Sequence, residues 1–144
     1  MKRAKHARKQ DGGAPVFMYI FTHESDRIIP GTTHKMGAAH PLEIRYKFNL
    51  VESELSPSGP DPMAISGPES VKTAHNMSEM WSAFARTGRP AAKGQPAWPA
   101  YDTRRRATME IDAQCRVVDD PRGRGTADVG RVGRVDGPAS MEWI

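Results

Sequence analysis

Residues 15–22 read PVFMYIFT, a continuous apolar and aromatic run that follows Gly12 and Gly13 and precedes a polar segment. A strand with one face in water alternates apolar and polar side chains, whereas a strand covered on both faces is apolar throughout. The run therefore predicts a buried strand of a parallel sheet. Such a strand needs neighbours, so we expect an α/β fold in which other segments complete the sheet.

The segment from His23 to Ala39 is polar and contains Gly and Pro, which predicts a loop leaving the carboxyl end of that strand. Open α/β sheets place their chemistry at this end. His40 lies where the loop ends, and we expect a short helical or extended turn over residues 42–48. Residues 56–68 are rich in Pro, Ser and Gly and predict an irregular connection.

The clearest helix is predicted to begin between Ser66 and Glu69 and to end at Gly88, which Pro90 follows. Between these points apolar residues recur at spacings of three and four, which is typical of a helix that buries one face. They are Val71, Ala74, Met77, Met80, Trp81, Phe84 and Ala85. Residues 107–112 alternate like a short edge strand, and residues 115–118 are expected to continue that edge.

The composition is that of one globular domain followed by a tail. The chain has 144 residues, of which 38% are hydrophobic, and a formal net charge of +4. Basic clusters near the start and at 104–106 contain no interleaved aromatic residue for base stacking, which favours solvated faces over nucleic-acid binding. We expect residues 1–120 to form the folded part and the Gly/Arg-rich residues 121–144 to be a disordered tail.

The composition also limits the chemistry that the chain can carry. Its single cysteine, Cys115, excludes an internal disulfide and cannot form a structural zinc site alone, so we expect no metal and no cofactor. No run approaches the roughly 20 apolar residues that a membrane span needs, and no signal peptide with a cleavage site is present. The sequence leaves the cellular compartment open.

Three blocks in order resemble the type B carboxylesterases, the family that includes the cholinesterases. The first is residues 15–21. The second is residues 37–48, GAAHPLEIRYKF, which is similar to the segment that delivers the catalytic histidine. The third is residues 80–90, MWSAFARTGRP, with WPAYD at 98–102, which resembles the last long helix of the family and the segment behind it. Pro41, Arg45 and Lys47 depart from the family pattern.

The resemblance implies the carboxyl-terminal part of an α/β-hydrolase fold, with a late parallel strand, a histidine loop, one long helix, short edge strands and an incomplete sheet. It assigns His40 as the catalytic base of a serine ester hydrolase. No Gly-x-Ser-x-Gly motif occurs in the chain, so the serine, the acid and the oxyanion hole would lie on preceding polypeptide. We therefore expect a carboxylic-ester substrate only once the active site is completed, and no activity from the chain alone.

Several other residues could in principle carry chemistry, and for each a structural role is the preferred interpretation. Glu43 lies three residues after His40 and is interpreted as a supporting hydrogen-bonding residue or a helix-start charge rather than the catalytic acid. Cys115 is interpreted as a buried hydrophobe rather than a nucleophile. The remaining histidines are interpreted as exposed to solvent or hydrogen-bonded within the fold, rather than as metal ligands or bases. They are His6, His23, His34 and His75.

Two rival functions remain open at this point. One is a small basic module that binds nucleic acid through the Lys/Arg start and the Gly/Arg tail, which a steep salt dependence of binding would support. The other is a non-functional remnant that folds only with an amino-terminal companion.

Overall fold

The computed structural model describes residues 13–38, 41–51 and 64–121, and the backbone of 141–143. Most of the irregular connection predicted over residues 56–68 lies outside these ranges. The described elements, in chain order, are β1 (Met18–Phe21), β2 (Ser25–Ile28), β3 (Lys35–Gly37), α1 (Leu42–Lys47), α2 (Pro68–Thr87), β4 (Ala107–Ile111), β5 (Arg116–Asp119) and β6 (Met141–Trp143).

A four-stranded mixed sheet has the order β5-β4-β1-β6. β1 and β4 are parallel, with Tyr19 opposite Met109, and the polypeptide between them includes both helices. β5 pairs antiparallel with β4, and β6 pairs antiparallel with the other side of β1. The predicted α/β class with a parallel strand at residues 15–22 is confirmed.

The core lies between this sheet and the two helices. All four residues of β1 are buried, because alternate side chains face opposite layers. Tyr19 and Phe21 point to the helices, where their ring centroids lie 5.0 Å from that of Trp81 and 4.9 Å from that of Tyr46. Met18 packs with Tyr101 on the other face. Burial on both faces explains why the sequence of β1 is apolar without alternation.

The long helix follows its sequence signals closely. α2 begins at Pro68, whose missing N–H is no loss in a first turn, and ends before Gly88. Gly88 adopts the left-handed conformation with φ of 71° and donates its N–H to the carbonyl of Phe84 at 2.8 Å. Ala74, Met77 and Met80 are buried against the sheet. Trp81 and Phe84 are half-buried at the margin of this core.

Three local expectations were wrong or incomplete. The segment between His23 and Ala39 is not only a loop, since β2 and β3 pair within it as an antiparallel hairpin. Residues 107–112 do not form an edge, because β4 lies between β1 and β5. Residues 141–143 of the predicted tail form β6, whereas the disorder expected for the rest of the tail concerns residues outside the described ranges.

Candidate functional site

His40, the predicted base, lies outside the described residues, and so does Ala39. The described chain stops at Ala38, just after β3, and resumes at Pro41, just before α1. The assignment of His40 therefore stays a prediction. The structure does describe the elements that flank this gap in the chain, namely β3 before it and the first turn of α1 after it.

Glu43 is a buried carboxylate in the first turn of α1, with 1% of its surface exposed. The Tyr19 hydroxyl donates to Glu43 Oε1 at 3.5 Å, and the ammonium group of Lys47 forms an ion pair with the same oxygen. Lys47 also lies over two aromatic rings, 5.7 Å from the centroid of Tyr19 and 5.6 Å from that of Trp81. The carboxylate is thus held in place by a cation and a phenol.

A second polar group lies at the carboxyl ends of β1 and β4. His23 follows β1 by two residues and is 6% exposed. Its Nδ1 lies 2.8 Å from Asp112 Oδ1, and its Nε2 lies 2.8 Å from Ser70 Oγ. A carboxylate can only accept, so Nδ1 carries the proton and donates to Asp112, and Nε2 accepts from the Ser70 hydroxyl. The result is a hydrogen-bonded chain from serine through histidine to aspartate.

Tyr46 of α1 extends this chain, because its hydroxyl is hydrogen-bonded to Ser70. Burial raises the pKa of the Tyr46 phenol above its ordinary value, and the hydrogen bond to Ser70 opposes that shift. The phenol therefore stays protonated at neutral pH. We call His23, Tyr46, Ser70 and Asp112 the Ser70 network.

The Ser70 network adjoins a cavity of about 520 Å³. Ser70 and His23 line it together with the β2 residue Arg27 and the loop residue Ser66. Arg27 Nη2 donates to Ser66 Oγ at 2.9 Å, which fixes the guanidinium at the cavity wall. Glu24, Asp26 and Glu69 also line the cavity. The space is the size of a small-ligand site.

His23 was expected to be a satisfied or exposed histidine, and the structure shows it buried and bonded through both ring nitrogens. A sequence signal for the network did exist. Asp112 comes directly after β4 and His23 comes two residues after β1, and the carboxyl ends of neighbouring parallel strands meet at one edge of a sheet. Ser70 gives no comparable signal, since only the packing of α2 brings it to His23.

Other candidate residues have simpler environments. Cys115 is buried, its Sγ donates to the Asp112 carbonyl at 3.4 Å, and burial raises the pKa of its thiol. Burial thus suppresses the reactive thiolate, in keeping with the interpretation of Cys115 as a small hydrophobe. His34 and His75 are exposed, and His6 lies outside the described residues. Within the described ranges no three His, Cys, Asp or Glu side chains are grouped to hold a metal ion.

Two further observations concern partners. Arg105 pairs with Asp119 and Arg106 with Asp120, so two of the three arginines at 104–106 face carboxylates. This pairing weakens the case for a nucleic-acid surface at that cluster. Among the described residues, no helix has both the length and the apolar character to cross a membrane.

Comparison with known proteins identifies a family. The model of the carboxylesterase family matches residues 2–126. Carboxylesterase 5A of Felis catus is 32% identical over 109 residues, which cover 75% of this chain and 19% of the relative. Para-nitrobenzyl esterase of Bacillus subtilis is 29% identical over 118 residues, which cover 81% of this chain and 22% of the relative. The chain thus spans about a fifth of the length of these curated relatives.

Solved structures give the same result. A PNB esterase superposes with a TM-score of 0.63 at 26% identity, over 88% of this chain and 24% of the other. A Geobacillus stearothermophilus carboxylesterase superposes with a TM-score of 0.53 at 29% identity, over 76% of this chain and 21% of the other. These neighbours are α/β-hydrolase esterases, and this chain is a small α/β unit with part of such a sheet.

Proposed function

Because the chain belongs to the carboxylesterase family, we propose that it supplies the catalytic histidine, His40, of a serine carboxylic-ester hydrolase. The observation that carries the proposal is the family match over residues 2–126, which includes the whole of the segment 37–48. In this proposal the chain is the carboxyl-terminal part of the enzyme domain. Residues 121–144 follow it, and β6 within them pairs with β1.

The chemistry assigned to His40 is that of a general base and acid. Its imidazole takes the proton from an attacking serine hydroxyl and returns it to the leaving alcohol, which suits a group with an unperturbed pKa of about 6.5. The nucleophile, the orienting acid and the oxyanion-hole donors come from polypeptide outside this sequence, which has no Gly-x-Ser-x-Gly motif. The substrate is a carboxylic ester bound by the completed domain.

Glu43 supports this site without reacting. It lies one helical turn from His40 in sequence and is fixed by Tyr19 and Lys47. A buried carboxylate with two such partners is a rigid acceptor at the start of α1. We assign it to holding the segment that follows His40, because its bonds within the described structure go to the sheet and to α1 itself.

A chimeric enzyme tests the role of His40. In the Bacillus subtilis para-nitrobenzyl esterase, the matched segment is replaced by residues 2–121 of this chain, and ester hydrolysis is measured by kcat and KM. We expect measurable activity, and we expect His40→Gln to lower kcat by at least roughly 10³-fold while KM changes little. His34→Gln, at an exposed histidine of the same segment, is the matched control and should leave kcat unchanged.

The result that would overturn the proposal is a folded chimera whose activity survives His40→Gln. Circular dichroism of the variant and its parent shows whether both are folded. In the 144-residue chain on its own, His40→Gln should leave the rate of ester hydrolysis unchanged, because the serine that His40 would serve lies on polypeptide outside this sequence.

A further inference from the structure

We propose that Ser70, His23 and Asp112 form a nucleophilic site of their own, at which Ser70 Oγ accepts the acyl group of small, uncharged, activated carboxylic esters. The proposal does not rest on the role of His40. It assigns chemistry to three residues that the proposed function leaves unused.

The first argument is the geometry. A serine nucleophile needs a base within about 2.6–3.2 Å, and the base needs a third group that orients it. Ser70 Oγ and His23 Nε2 are 2.8 Å apart, and His23 Nδ1 and Asp112 Oδ1 are also 2.8 Å apart. Both distances fall in the required range, with the two ring nitrogens used in the correct order.

The second argument is the proton assignment. The Asp112 carboxylate fixes the tautomer in which Nδ1 is protonated, so the Nε2 lone pair faces the Ser70 hydroxyl proton. Asp112 is itself oriented, because the N–H of Ala113 donates to its Oδ1 at 2.7 Å. The histidine is therefore held as a base before any substrate arrives, which is the preorganisation that general-base catalysis requires.

The third argument is access. Ser70 is half-buried, and it lines the cavity of about 520 Å³ beside His23, so an acyl carbon can reach its oxygen. Arg27 lines the same cavity, and its positive charge at the wall favours an oxyanion there. The carboxylates of Glu24, Asp26 and Glu69 also line it and disfavour anionic substrates. The walls thus select uncharged esters of small acids.

The chemical step balances without any further reactant. Ser70 Oγ forms a bond to the carbonyl carbon while its proton passes to His23 Nε2. The tetrahedral intermediate then collapses, the bond from carbon to the leaving oxygen breaks, and that oxygen takes the proton from His23. The products are an ester on Ser70 and a free alcohol or phenol. Water, activated by the same nitrogen, releases the acid and restores the serine.

The test uses the full chain and p-nitrophenyl acetate, with the acetylated residue identified by mass spectrometry of tryptic peptides. Ser66 is the internal reference, because it is also half-buried at this cavity but its oxygen faces Arg27 instead of a histidine. We expect Ser70 to be acetylated at least roughly tenfold faster than Ser66, since a positioned base contributes 10²–10⁴-fold in general. In urea the two serines should react equally.

Variants separate catalysis from packing. Asp112→Asn should slow acetylation of Ser70 by at least roughly tenfold, because the amide allows the wrong tautomer of His23. His23→Gln should remove the preference for Ser70 over Ser66, and His75→Gln, at an exposed histidine of α2, should leave it intact. This preference is measured on the chain alone, whereas the role of His40 is tested in the chimera, so failure of this inference and failure of the proposed function are distinguishable. Equal acetylation of Ser70 and Ser66 in the native, unsubstituted chain would overturn the inference, and that measurement needs no variant to fold.

Discussion

At the scale of single residues, Lys47 shows how a charged side chain is accommodated among apolar neighbours. In the sequence it lies between Tyr46 and Phe48 and departs from the family pattern. The structure shows the ammonium paired with the buried Glu43 and resting on the rings of Tyr19 and Trp81. The long apolar stem fills space while the charge meets a carboxylate, so the departure from the family pattern is compensated locally.

We predict that Lys47→Met lowers the free energy of unfolding by about 2 kcal/mol. Removing one partner of a buried pair leaves the other charge without compensation, which costs about 3–5 kcal/mol for a fully buried pair. The effect is reduced here because the Lys47 side chain is 17% exposed. Urea denaturation followed by circular dichroism measures it.

Lys35→Met is the matched control for this change. Lys35 also forms an ion pair, with Asp26, but both side chains are largely exposed, and such pairs are screened by solvent. The urea midpoint of this variant should equal that of the parent. A Lys47→Met protein with an unchanged midpoint would show that Glu43 does not depend on the lysine.

At the scale of elements, α2 is the part of the fold that sequence predicts best. Its start was expected between Ser66 and Glu69 and its end at Gly88, and it spans Pro68–Thr87. Helix ends are governed by local rules, namely the fixed φ of proline and the left-handed conformation open to glycine. Neither rule depends on tertiary contacts, so both helix ends can be recognised from the amino-acid sequence.

Gly88 provides the element-scale prediction. Gly88→Ala should lower the free energy of unfolding by about 1 kcal/mol, because a Cβ disfavours the left-handed conformation by about 1–2 kcal/mol. A Cβ built at Gly88 meets nothing within 4 Å, so the loss would be one of backbone conformation alone. The free energy of unfolding of Gly88→Asn should lie between those of the parent and of Gly88→Ala, since asparagine tolerates this conformation. Urea unfolding of the three proteins gives the order, and equal stability of all three would contradict it.

The strands were harder to anticipate than the helix. β2 and β3 are short and polar, with only part of their surface buried, so no hydrophobic alternation marks them. β4 alternates weakly, which predicts an edge strand, although β5 covers its outer side. Which strand lies inside a sheet depends on pairing with distant segments, and a local pattern of five residues does not contain that information.

At the scale of the whole molecule, the surface retains large apolar side chains. Phe48 is 71% exposed, and Ile44 and Leu50 are each about half exposed in the same segment. We call these three residues the Phe48 patch. Clustered exposed apolar residues are uncommon on soluble monomers and mark contact surfaces or sites of aggregation.

We predict that the complete chain self-associates as its concentration rises and that the Phe48 patch drives this association. The double change Phe48→Ser and Leu50→Ser should lower the weight-average mass measured by analytical ultracentrifugation, because it removes apolar area without touching the core. Ile28→Ser with Ile29→Ser, at exposed apolar residues of the hairpin, is the matched comparison and should have the smaller effect. Unchanged association of the Phe48 and Leu50 variant would exclude the patch as its cause.

The sequence was sufficient for the α/β class, for β1, for α2 and for the family of the chain, because these depend on local patterns of apolar residues, helix-terminal residues and ordered motifs. It also identified Glu43 as a residue to examine, although not its pairing with Lys47. Only the tertiary structure brings Ser70 to His23 and His23 to Asp112, since these residues lie 47 and 89 positions apart. Hydrogen bonds between such distant residues form only when β1, β4 and α2 pack together. The free energy of that packing depends on contacts throughout the fold and not on any local stretch of sequence.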